Sequence, residues 1–138
     1  MNLLLEIITP EKVIYKDEVQ EVIVPTISGE IAILPNHINL LTQVSPGELV
    51  IKKGDNNLQH LAITGGFLEI QNNKISILAE YAVKAQDIEV ARAMEAKKRA
   101  EKVMSEKSTD NELRVAQAEL IKSVLELKIA SKHRKRPV

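Results

Sequence analysis

Cysteine is absent from this 138-residue chain, and aromatic residues make up only 2% of it. The lack of cysteine excludes disulfide bonds and thiolate metal sites, and it is compatible with a reducing compartment. Hydrophobic residues nevertheless account for 44% of the chain, and the aromatic ones are Tyr15, Phe67 and Tyr81. The composition therefore predicts a buried core made of aliphatic side chains.

The common signatures of catalysis are missing as well. The sequence contains no G-x-x-x-x-G-K-[ST] phosphate loop, no G-x-G-x-x-G turn, no G-x-S-x-G nucleophile elbow and no H-E-x-x-H helix. Its histidines, His37, His60 and His133, are 23 and 73 positions apart, which is not a metal-ligand spacing. We predict no catalytic residue, no metal-binding residue and no enzyme activity of the chain itself.

The formal net charge is zero, but the charges are unevenly distributed. Residues 1–84 hold six basic and ten acidic side chains, a net charge of −4, whereas residues 85–138 hold thirteen and nine, a net charge of +4. The basic excess lies at the carboxyl end, in Lys132, Arg134, Lys135 and Arg136. Such a tail is typical either of a solvated chain end or of a segment that contacts acidic protein, lipid or nucleic acid.

Residues 1–84 have the pattern of a β-domain. Apolar residues alternate in short runs, and turn signals such as Pro46-Gly47, Gly65-Gly66 and Asn72-Asn73 separate the runs. Alternation with period 2 and turns every 8–12 residues or so is typical of a β-sandwich or a barrel. The Gly65-Gly66 pair predicts a turn between two separate strands.

Residues 85–138 have the pattern of two helices, because their apolar residues recur every three to four positions. Asp87 is the predicted N-cap of the first helix. Thr109 and Glu112 have the spacing of a capping box at the start of the second, with Asp110 as an alternative cap. The four residues that join the helices predict an antiparallel hairpin. The chain is thus expected to be an α+β protein that divides between residues 84 and 85.

The two predicted helices differ in how much apolar surface they carry. The first has one narrow stripe of mostly small residues: Ala93, Ala96, Ala100, Val103 and Met104. The second has two apolar faces: Leu113, Ala116, Leu120, Val124 and Leu127, and Ala118, Ile121, Leu125 and Ile129. The second of these faces either packs on the β-domain or is kept for another protein. Burial of the alanine stripe contributes roughly 5–8 kcal/mol, less than the entropy cost of ordering the helices, so we expect a marginal hairpin that a partner can move.

Two arginines on the first helix have the spacing of a ligand site. Arg92 and Arg99 are seven positions apart, which places them about 10.5 Å apart along the axis at nearly the same azimuth. Two guanidinium groups in register can bind a phosphate chain or an acidic surface. The alternative is a solvated face on which Arg92 pairs with Glu89 and Arg99 pairs with Glu95.

Three segments carry a resemblance to a known family. Ser28–His37 reads SGEIAILPNH, Thr64–Ile70 reads TGGFLEI and Asp87–Ala96 reads DIEVARAMEA. In this order and spacing they strongly resemble the epsilon subunit of F-type ATP synthases, and the match covers essentially the whole chain. The resemblance implies an amino-terminal ten-stranded antiparallel β-sandwich over residues 1–84 and a regulatory helical hairpin with a basic tail over residues 85–138.

The resemblance also implies a non-catalytic subunit of the central stalk. Its β-sandwich is expected to bind the gamma subunit and the membrane rotor ring of c subunits, with Glu30 and His37 facing the ring. Its helices are expected to inhibit ATP hydrolysis when they extend into the alpha/beta catalytic head. There, Lys132, Arg134, Lys135 and Arg136 are expected to contact acidic segments.

Some family members bind ATP through an I-[DE]-x-x-R-A element on the first helix. Ile88, Glu89, Arg92 and Ala93 fit this element, and Arg99 matches a further position. ATP-binding members have Asp where this chain has Glu89, and an acidic residue where it has Val83. The resemblance implies a regulatory ATP and no obligatory cofactor, and these two departures count against tight binding.

Two other classes of function remain open from the residues alone: a free-standing adaptor with a sticky hairpin, and a nucleic-acid binder that uses the basic tail. The acidic β-domain does not favour nucleic acid as a partner. No apolar run reaches the roughly 20 residues that span a bilayer. We expect membrane contact only through the complex, on the cytoplasmic side of a bacterial inner membrane, with the plastid thylakoid as the alternative, since no import presequence precedes Leu3.

Overall fold

The computed structural model describes residues 2–133, which form eight strands, one 3₁₀ turn and two α-helices. The chain divides into two compact units between Lys84 and Ala85. We call them the β unit and the helical unit. The strands of the β unit are β1 Leu3–Ile8, β2 Val13–Val19, β3 Glu21–Thr26, β4 Gly29–Ile33, β5 Leu40–Val44, β6 Gly47–Lys52, β7 Leu58–Gln71 and β8 Lys74–Lys84.

The strand pairings form two groups that share the two longest strands. The first group runs β2-β1-β8-β7-β5 and uses the second half of β7 and the first half of β8. The second group contains β4, β3 and β6, and uses the first half of β7 and the second half of β8. All pairs are antiparallel except β1 with β8, which is parallel. This arrangement is a β-sandwich in which β7 and β8 pass from one layer to the other.

The predicted count of ten strands is therefore corrected to eight. Within the described residues, β7 runs without interruption through Gly65-Gly66, where the sequence predicted a turn. Its register with β8 stays constant from Leu61↔Lys84 to Gln71↔Lys74, which keeps the strand continuous. Because β7 and β8 each pair in both layers, eight strands supply ten paired segments.

Gly66 is the position that this crossing of β7 requires. Its φ is 150°, and a Cβ atom there would lie 2.1 Å from the carbonyl oxygen of Leu78 on β8. The buried positions of β7 also change phase around the glycine pair, from Leu61 and Ile63 to Leu68 and Ile70. Glycine thus allows a close backbone approach where the strand changes layer, rather than ending the strand.

The core of the β unit is aliphatic, as predicted from the composition. Alternate residues of each strand point inward, as in β1, whose Leu3, Leu5 and Ile7 are fully buried. Tyr15 is the aromatic member of the core, and its buried hydroxyl has no hydrogen-bond partner among residues 2–133. Burial raises the pKa of the Tyr15 hydroxyl, and the nearby Asp17 carboxylate raises it further.

The helical unit begins with the 3₁₀ turn Ala85–Asp87 and continues with α1 Val90–Ser105 and α2 Asp110–His133. The prediction that Asp87 caps α1 is wrong: Asp87 belongs to the 3₁₀ turn, and Glu89 occupies the N-cap position, where its side chain makes no capping hydrogen bond. The capping box of α2 is confirmed. The Glu112 N–H donates to Thr109 Oγ1 at 3.1 Å, and the Thr109 N–H donates to Glu112 Oε1 at 3.4 Å.

Small residues occupy most of the buried positions of the two helices, which pack against each other. The prediction for α1 is confirmed at Ala93, Ala96 and Ala100, whereas Met104 is 37% exposed. The buried residues of α2 are Ala116, Ser123, Ile129 and Ala130. Ser123 was missed in the sequence because it is polar, and it satisfies its hydroxyl by donating to the Leu120 carbonyl at 3.1 Å. Of the predicted apolar positions on α2, Val124 and Ile121 are 44% and 52% exposed.

Candidate functional site: exposed surfaces for partner proteins

An apolar groove lies on the outer side of the first layer of the β unit. Its centre is Phe67 on β7, which pairs with Gln43 on β5 and with Leu78 on β8, while Leu78 lies beside Ile8 on β1. Phe67 and Leu78 are 57% and 58% exposed. The groove has a volume of about 420 Å³, and its lining also includes Thr9, Pro10, Gly65, Gly66, Ala79 and Glu80. We call it the Phe67 groove.

The position of Phe67 follows from the crossing of β7. The phase change at Gly65-Gly66 points Leu68 into the core and Phe67 outward. Leu41 on β5 lies on the same outer side as Gln43, two residues away, and is 71% exposed. The sequence does contain a signal for this surface: its single phenylalanine directly follows the glycine pair. Exposed aromatic and leucine side chains that cluster on one face are typical of protein-binding surfaces.

A second surface of the β unit is the loop that joins β4 to β5. Leu34 and Ile38 in this loop are 54% and 77% exposed, and His37 between them is half-buried. The His37 N–H donates to the Leu34 carbonyl at 3.2 Å, and His37 Nδ1 lies 2.8 Å from the Ile38 carbonyl. That contact places the proton on Nδ1 and leaves Nε2 available to a partner. We call Leu34, His37 and Ile38 the loop face.

The predicted ring-facing residues Glu30 and His37 are separated by the length of β4. Glu30 is the second residue of β4, where it pairs with Pro25 on β3 and is exposed. His37 follows the other end of the strand. The strand from Glu30 to Ile33 rises about 10 Å. Glu30 therefore lies near the start of an edge strand, and His37 lies in the loop that follows the end of that strand.

The helical unit carries the residues predicted for nucleotide binding. Ile88 and Ala93 are buried, whereas Glu89, Arg92 and Arg99 are exposed. Arg92 Nε lies 3.3 Å from Glu89 Oε2, which confirms the predicted pair three positions apart. The predicted pair of Arg99 with Glu95 is not formed, and Arg99 has no ion pair with any described residue. As far as residues 2–133 are concerned, the Arg99 guanidinium is therefore available to a ligand or a partner.

The predicted basic tail is only partly described. Lys132 is exposed in the last turn of α2, while Arg134, Lys135 and Arg136 lie outside the described residues. In the β unit, His60 Nδ1 lies 3.1 Å from Glu48 Oε2, so this strand histidine is paired with a carboxylate. Among residues 2–133, neither helix is both long enough and apolar enough to cross a bilayer.

These features define a class of protein: a β-sandwich with exposed apolar surfaces, followed by a pair of helices with exposed charges, as is typical of proteins that bind other molecules. Residues 2–85 match the model of the ATP synthase delta/epsilon chain β-sandwich domain, and residues 86–131 match the model of the delta/epsilon chain long α-helix domain.

Curated relatives agree with these matches. The chain is 42% identical to the ATP synthase epsilon chain of Dehalococcoides mccartyi, an alignment that covers 99% of this chain and 97% of the relative. It is 38% identical to the ATP synthase epsilon chain of Thioalkalivibrio sulfidiphilus, with 98% and 96% covered. The chain therefore belongs to the ATP synthase delta/epsilon chain family, and the resemblance predicted from its three sequence segments is confirmed.

Solved structures share the fold. A chain of the Euglena gracilis mitochondrial ATP synthase, in a structure of OSCP, F1 and the c-ring, is 22% identical with a TM-score of 0.73, covering 96% of this chain and 82% of that one. A chain of the Tetrahymena thermophila mitochondrial ATP synthase central stalk and c-ring is 16% identical with a TM-score of 0.62, covering 94% and 97%. Family membership makes this chain a non-catalytic subunit of an ATP synthase.

Proposed function

We propose that the chain couples the gamma subunit of a proton-translocating ATP synthase to the membrane rotor ring, and that its helices restrain ATP hydrolysis. The observation that carries this proposal is the presence of two exposed apolar surfaces on one rigid β unit, the Phe67 groove and the loop face. A subunit that joins two partners needs two such surfaces. Family membership favours this interpretation over a free-standing adaptor or a nucleic-acid binder.

The Phe67 groove is the proposed binding surface for gamma. Burial of a side chain such as Phe67 in an interface contributes about 1.5–3 kcal/mol. We expect Phe67→Ala to weaken binding of purified gamma by at least about tenfold, measured by biolayer interferometry. Leu58→Ala is the matched control because Leu58 is similarly exposed, at 53%, and lies outside the groove. Equal affinities for both variants would exclude the groove as the gamma surface.

The loop face and Glu30 are the proposed contact with the polar loops of the rotor ring. Leu34 and Ile38 supply apolar area, and His37 and Glu30 supply polar groups. We expect His37→Ala and Glu30→Ala to weaken binding of the chain to the detergent-purified ring, with Glu11→Ala, an exposed carboxylate in the β1–β2 turn, as the control. Ring binding that is unchanged in both variants would contradict this assignment.

The helical unit is the proposed brake on hydrolysis. A hairpin whose buried positions are mostly alanine gains little free energy from packing, so a partner can displace it. Truncation after Ala85 should leave assembly of the complex intact and raise its ATPase rate. An unchanged rate in an assembled, truncated complex would show that the helices do not inhibit this ATP synthase.

The basic tail is the proposed contact with acidic segments of the alpha/beta catalytic head when the helices extend. Replacement of Lys132, Arg134, Lys135 and Arg136 by alanine should weaken inhibition of hydrolysis. Inhibition by the wild-type chain should also fall as the salt concentration rises, because salt screens exposed charges. If the tail does not contact the head, the two chains will inhibit equally at every salt concentration.

A regulatory ATP is the proposed ligand of α1, with Arg92 and Arg99 as its phosphate-binding groups beside Ile88, Glu89 and Ala93. Arg92 already pairs with Glu89, whereas Arg99 has no ion pair among the described residues. Titration of the purified chain with ATP should give a saturable signal that Arg99→Ala weakens and that Lys98→Ala, an exposed neighbour, does not. The absence of saturation up to millimolar ATP would exclude this ligand.

The proposed location follows from the proposed partners. A chain that contacts both gamma and the ring lies at the membrane without entering it, on the cytoplasmic face of a bacterial inner membrane or, alternatively, on the plastid thylakoid. Fractionation of cells that produce the chain should recover it with the membrane, and low-ionic-strength washing that strips the catalytic head should release it. Recovery in the cytosol of cells that assemble the complex would contradict this proposal.

A further inference from the structure

Two asparagines that are 37 positions apart tie the loop face to the turn between β7 and β8. The Asn36 N–H donates to Asn73 Oδ1 at 2.6 Å, and Asn73 Nδ2 donates to Asn36 Oδ1 at 3.3 Å. The Asn73 carbonyl in turn accepts from the Leu4 N–H on β1 at 2.9 Å. We call this pair of side-chain contacts the asparagine bracket. It connects the residue next to His37 with the first layer of the sandwich.

The backbone of both residues supports the bracket. Asn36 and Asn73 have φ angles of 67° and 61°, in the left-handed region that asparagine tolerates better than most residues. The two hydrogen bonds that His37 makes to Leu34 and Ile38 are local to the loop, so they shape it without fixing its place on the β unit. The bracket supplies that long-range fixation.

We infer that Asn73 is a positioning residue for the loop face, which it holds in its binding conformation before a partner arrives. This inference rests on the proposed contact between His37 and the rotor ring. A loop that is already ordered does not lose further backbone entropy on binding. If the loop adopts the competent conformation only part of the time, the apparent affinity falls by that fraction.

Three full-length variants separate the bracket from the turn that carries it. Asn73→Gly removes both side-chain hydrogen bonds and keeps the positive φ accessible. Asn72→Gly makes the same change one residue earlier, at a φ of 51°, without touching the bracket. Asn73→Asp keeps an acceptor for the Asn36 N–H and loses the donor to Asn36 Oδ1. Glycine adopts the positive φ of both positions, so the two glycine variants differ in whether the bracket is lost.

The first measurement is hydrogen exchange at the Asn36 amide of the full chain, followed by NMR. We expect this amide to exchange about tenfold faster in Asn73→Gly, as the loss of a two-bond connection predicts, and to be unchanged in Asn72→Gly. Asn73→Asp should restore most of the protection. Unchanged protection of the Asn36 amide in Asn73→Gly would show that the asparagine bracket does not hold the loop. That result would not depend on which partner binds the loop face.

The second measurement is binding of each variant to the detergent-purified rotor ring, with His37→Ala in parallel. We expect Asn73→Gly to bind about five- to tenfold more weakly and Asn72→Gly to bind within about twofold of the unmodified chain. If His37→Ala weakens binding while Asn73→Gly does not, the positioning role is overturned and the ring contact stands. If His37→Ala has no effect, the ring contact fails, and with it the role of Asn73 in that contact.

Discussion

The β unit and the helical unit differ in the size of the side chains that they bury. The β unit buries leucine, isoleucine and valine, with residues such as Leu5, Ile63 and Ile77 fully excluded from solvent. The helical unit buries mostly alanine, as at Ala93, Ala96 and Ala116. A fully buried leucine or isoleucine contributes about 1.5–3 kcal/mol, several times the contribution of an alanine methyl group.

The connections between elements reinforce this difference. Long-range backbone pairing joins every strand of the β unit, and β7 alone pairs with β5, β6 and β8. The hydrogen bonds of a helix are internal, so side-chain packing is what keeps α1 on α2. We therefore expect one chain to combine a rigid platform for partners with a pair of helices that partners can move.

The largest expected effect tests the platform at the crossing of β7. Gly66→Ala places a methyl group 2.1 Å from the Leu78 carbonyl at a φ of 150°, so the β7–β8 backbone has to shift. We expect the free energy of unfolding of the β unit to fall by about 4 kcal/mol or more. Both tyrosines, Tyr15 and Tyr81, lie in the β unit, so tyrosine fluorescence during urea denaturation measures this loss.

Gly65→Ala is the matched control. Its methyl group would meet only the Glu80 side chain at 3.5 Å, an ordinary contact distance. It should change stability by less than about 1 kcal/mol. Equal losses for the two alanine variants would mean that close backbone approach is not what Gly66 provides.

The next largest effect tests the aliphatic core. Ile63→Ala, at a fully buried position on β7, should lower the stability of the β unit by about 3 kcal/mol through lost burial and the cavity left behind. Leu58→Ala, on the same strand but 53% exposed, should have little effect in the same tyrosine fluorescence assay. A small loss for Ile63→Ala would show that the β unit is not the more tightly packed of the two.

A smaller effect tests the alanine packing of the helices. Ala96→Leu introduces three extra carbon atoms at a position that is 6% exposed, and we expect it to destabilise the helical unit by about 2 kcal/mol. Ala91→Leu makes the same change at an exposed position of α1. Circular dichroism at 222 nm should report the loss for Ala96→Leu only, while tyrosine fluorescence stays unchanged. A simultaneous loss in both signals would contradict independent units.

The smallest expected effect concerns an ion pair at the surface of the β unit. Lys53 Nζ donates to the Asp17 carboxylate, and the Glu18 N–H donates to Asp17 Oδ1 at 2.8 Å. The hydrogen bond from Lys53 lowers the pKa of Asp17 most, and the one from the Glu18 N–H lowers it further. The hydrogen bond to Asp17 also raises the pKa of Lys53. The Asp17 contribution to stability is present above its ordinary pKa of about 4 and is lost as the pH falls through the lowered value.

The Lys53 contribution behaves in the opposite way, because it is lost as the pH rises through the raised pKa of that amine. Because the Asp17 contribution is the one lost at low pH, Asp17→Asn should flatten the acid limb of a plot of stability against pH. The change should be small, since the side chains are 44% and 45% exposed. Glu18→Gln, at a neighbouring carboxylate without an ion pair to a described residue, is the control. An identical acid limb in the two variants would show that the ion pair between Asp17 and Lys53 does not stabilise the β unit.

The sequence predicted the two units well because each has its own periodicity. Alternation identified the strands, the spacing of three to four residues identified the helices, and Thr109 with Glu112 identified the start of α2. The predicted turn at Gly65-Gly66 is wrong. Glycine commonly ends a strand, but here the pairing with β8 keeps β7 continuous, and a single sequence does not show that pairing. The predicted N-cap at Asp87 is wrong because a 3₁₀ turn precedes α1, which begins at Val90.

The candidate surfaces were harder to predict than the fold. Glu30 and His37 came from the family resemblance, because a charged residue in a hairpin and a loop histidine carry no signal of their own. Phe67 is exposed because the alternation of buried and exposed residues along β7 shifts by one position at Gly65-Gly66. The local sequence pattern does not predict that shift. The hydrogen bonds between Asn36 and Asn73 join residues 37 positions apart, and a single sequence does not record such a pair.

The most direct test of the difference between the two units is native-state hydrogen exchange of the full chain, alone and in the assembled rotor. We expect the core amides of β7 and β8, such as Ile63 and Ile77, to exchange only by global unfolding of the β unit. The amides around Ala96 and Ser123 should open far more readily and respond to the partners. Equal protection of strands and helices, both alone and in the complex, would contradict a rigid platform that carries movable helices.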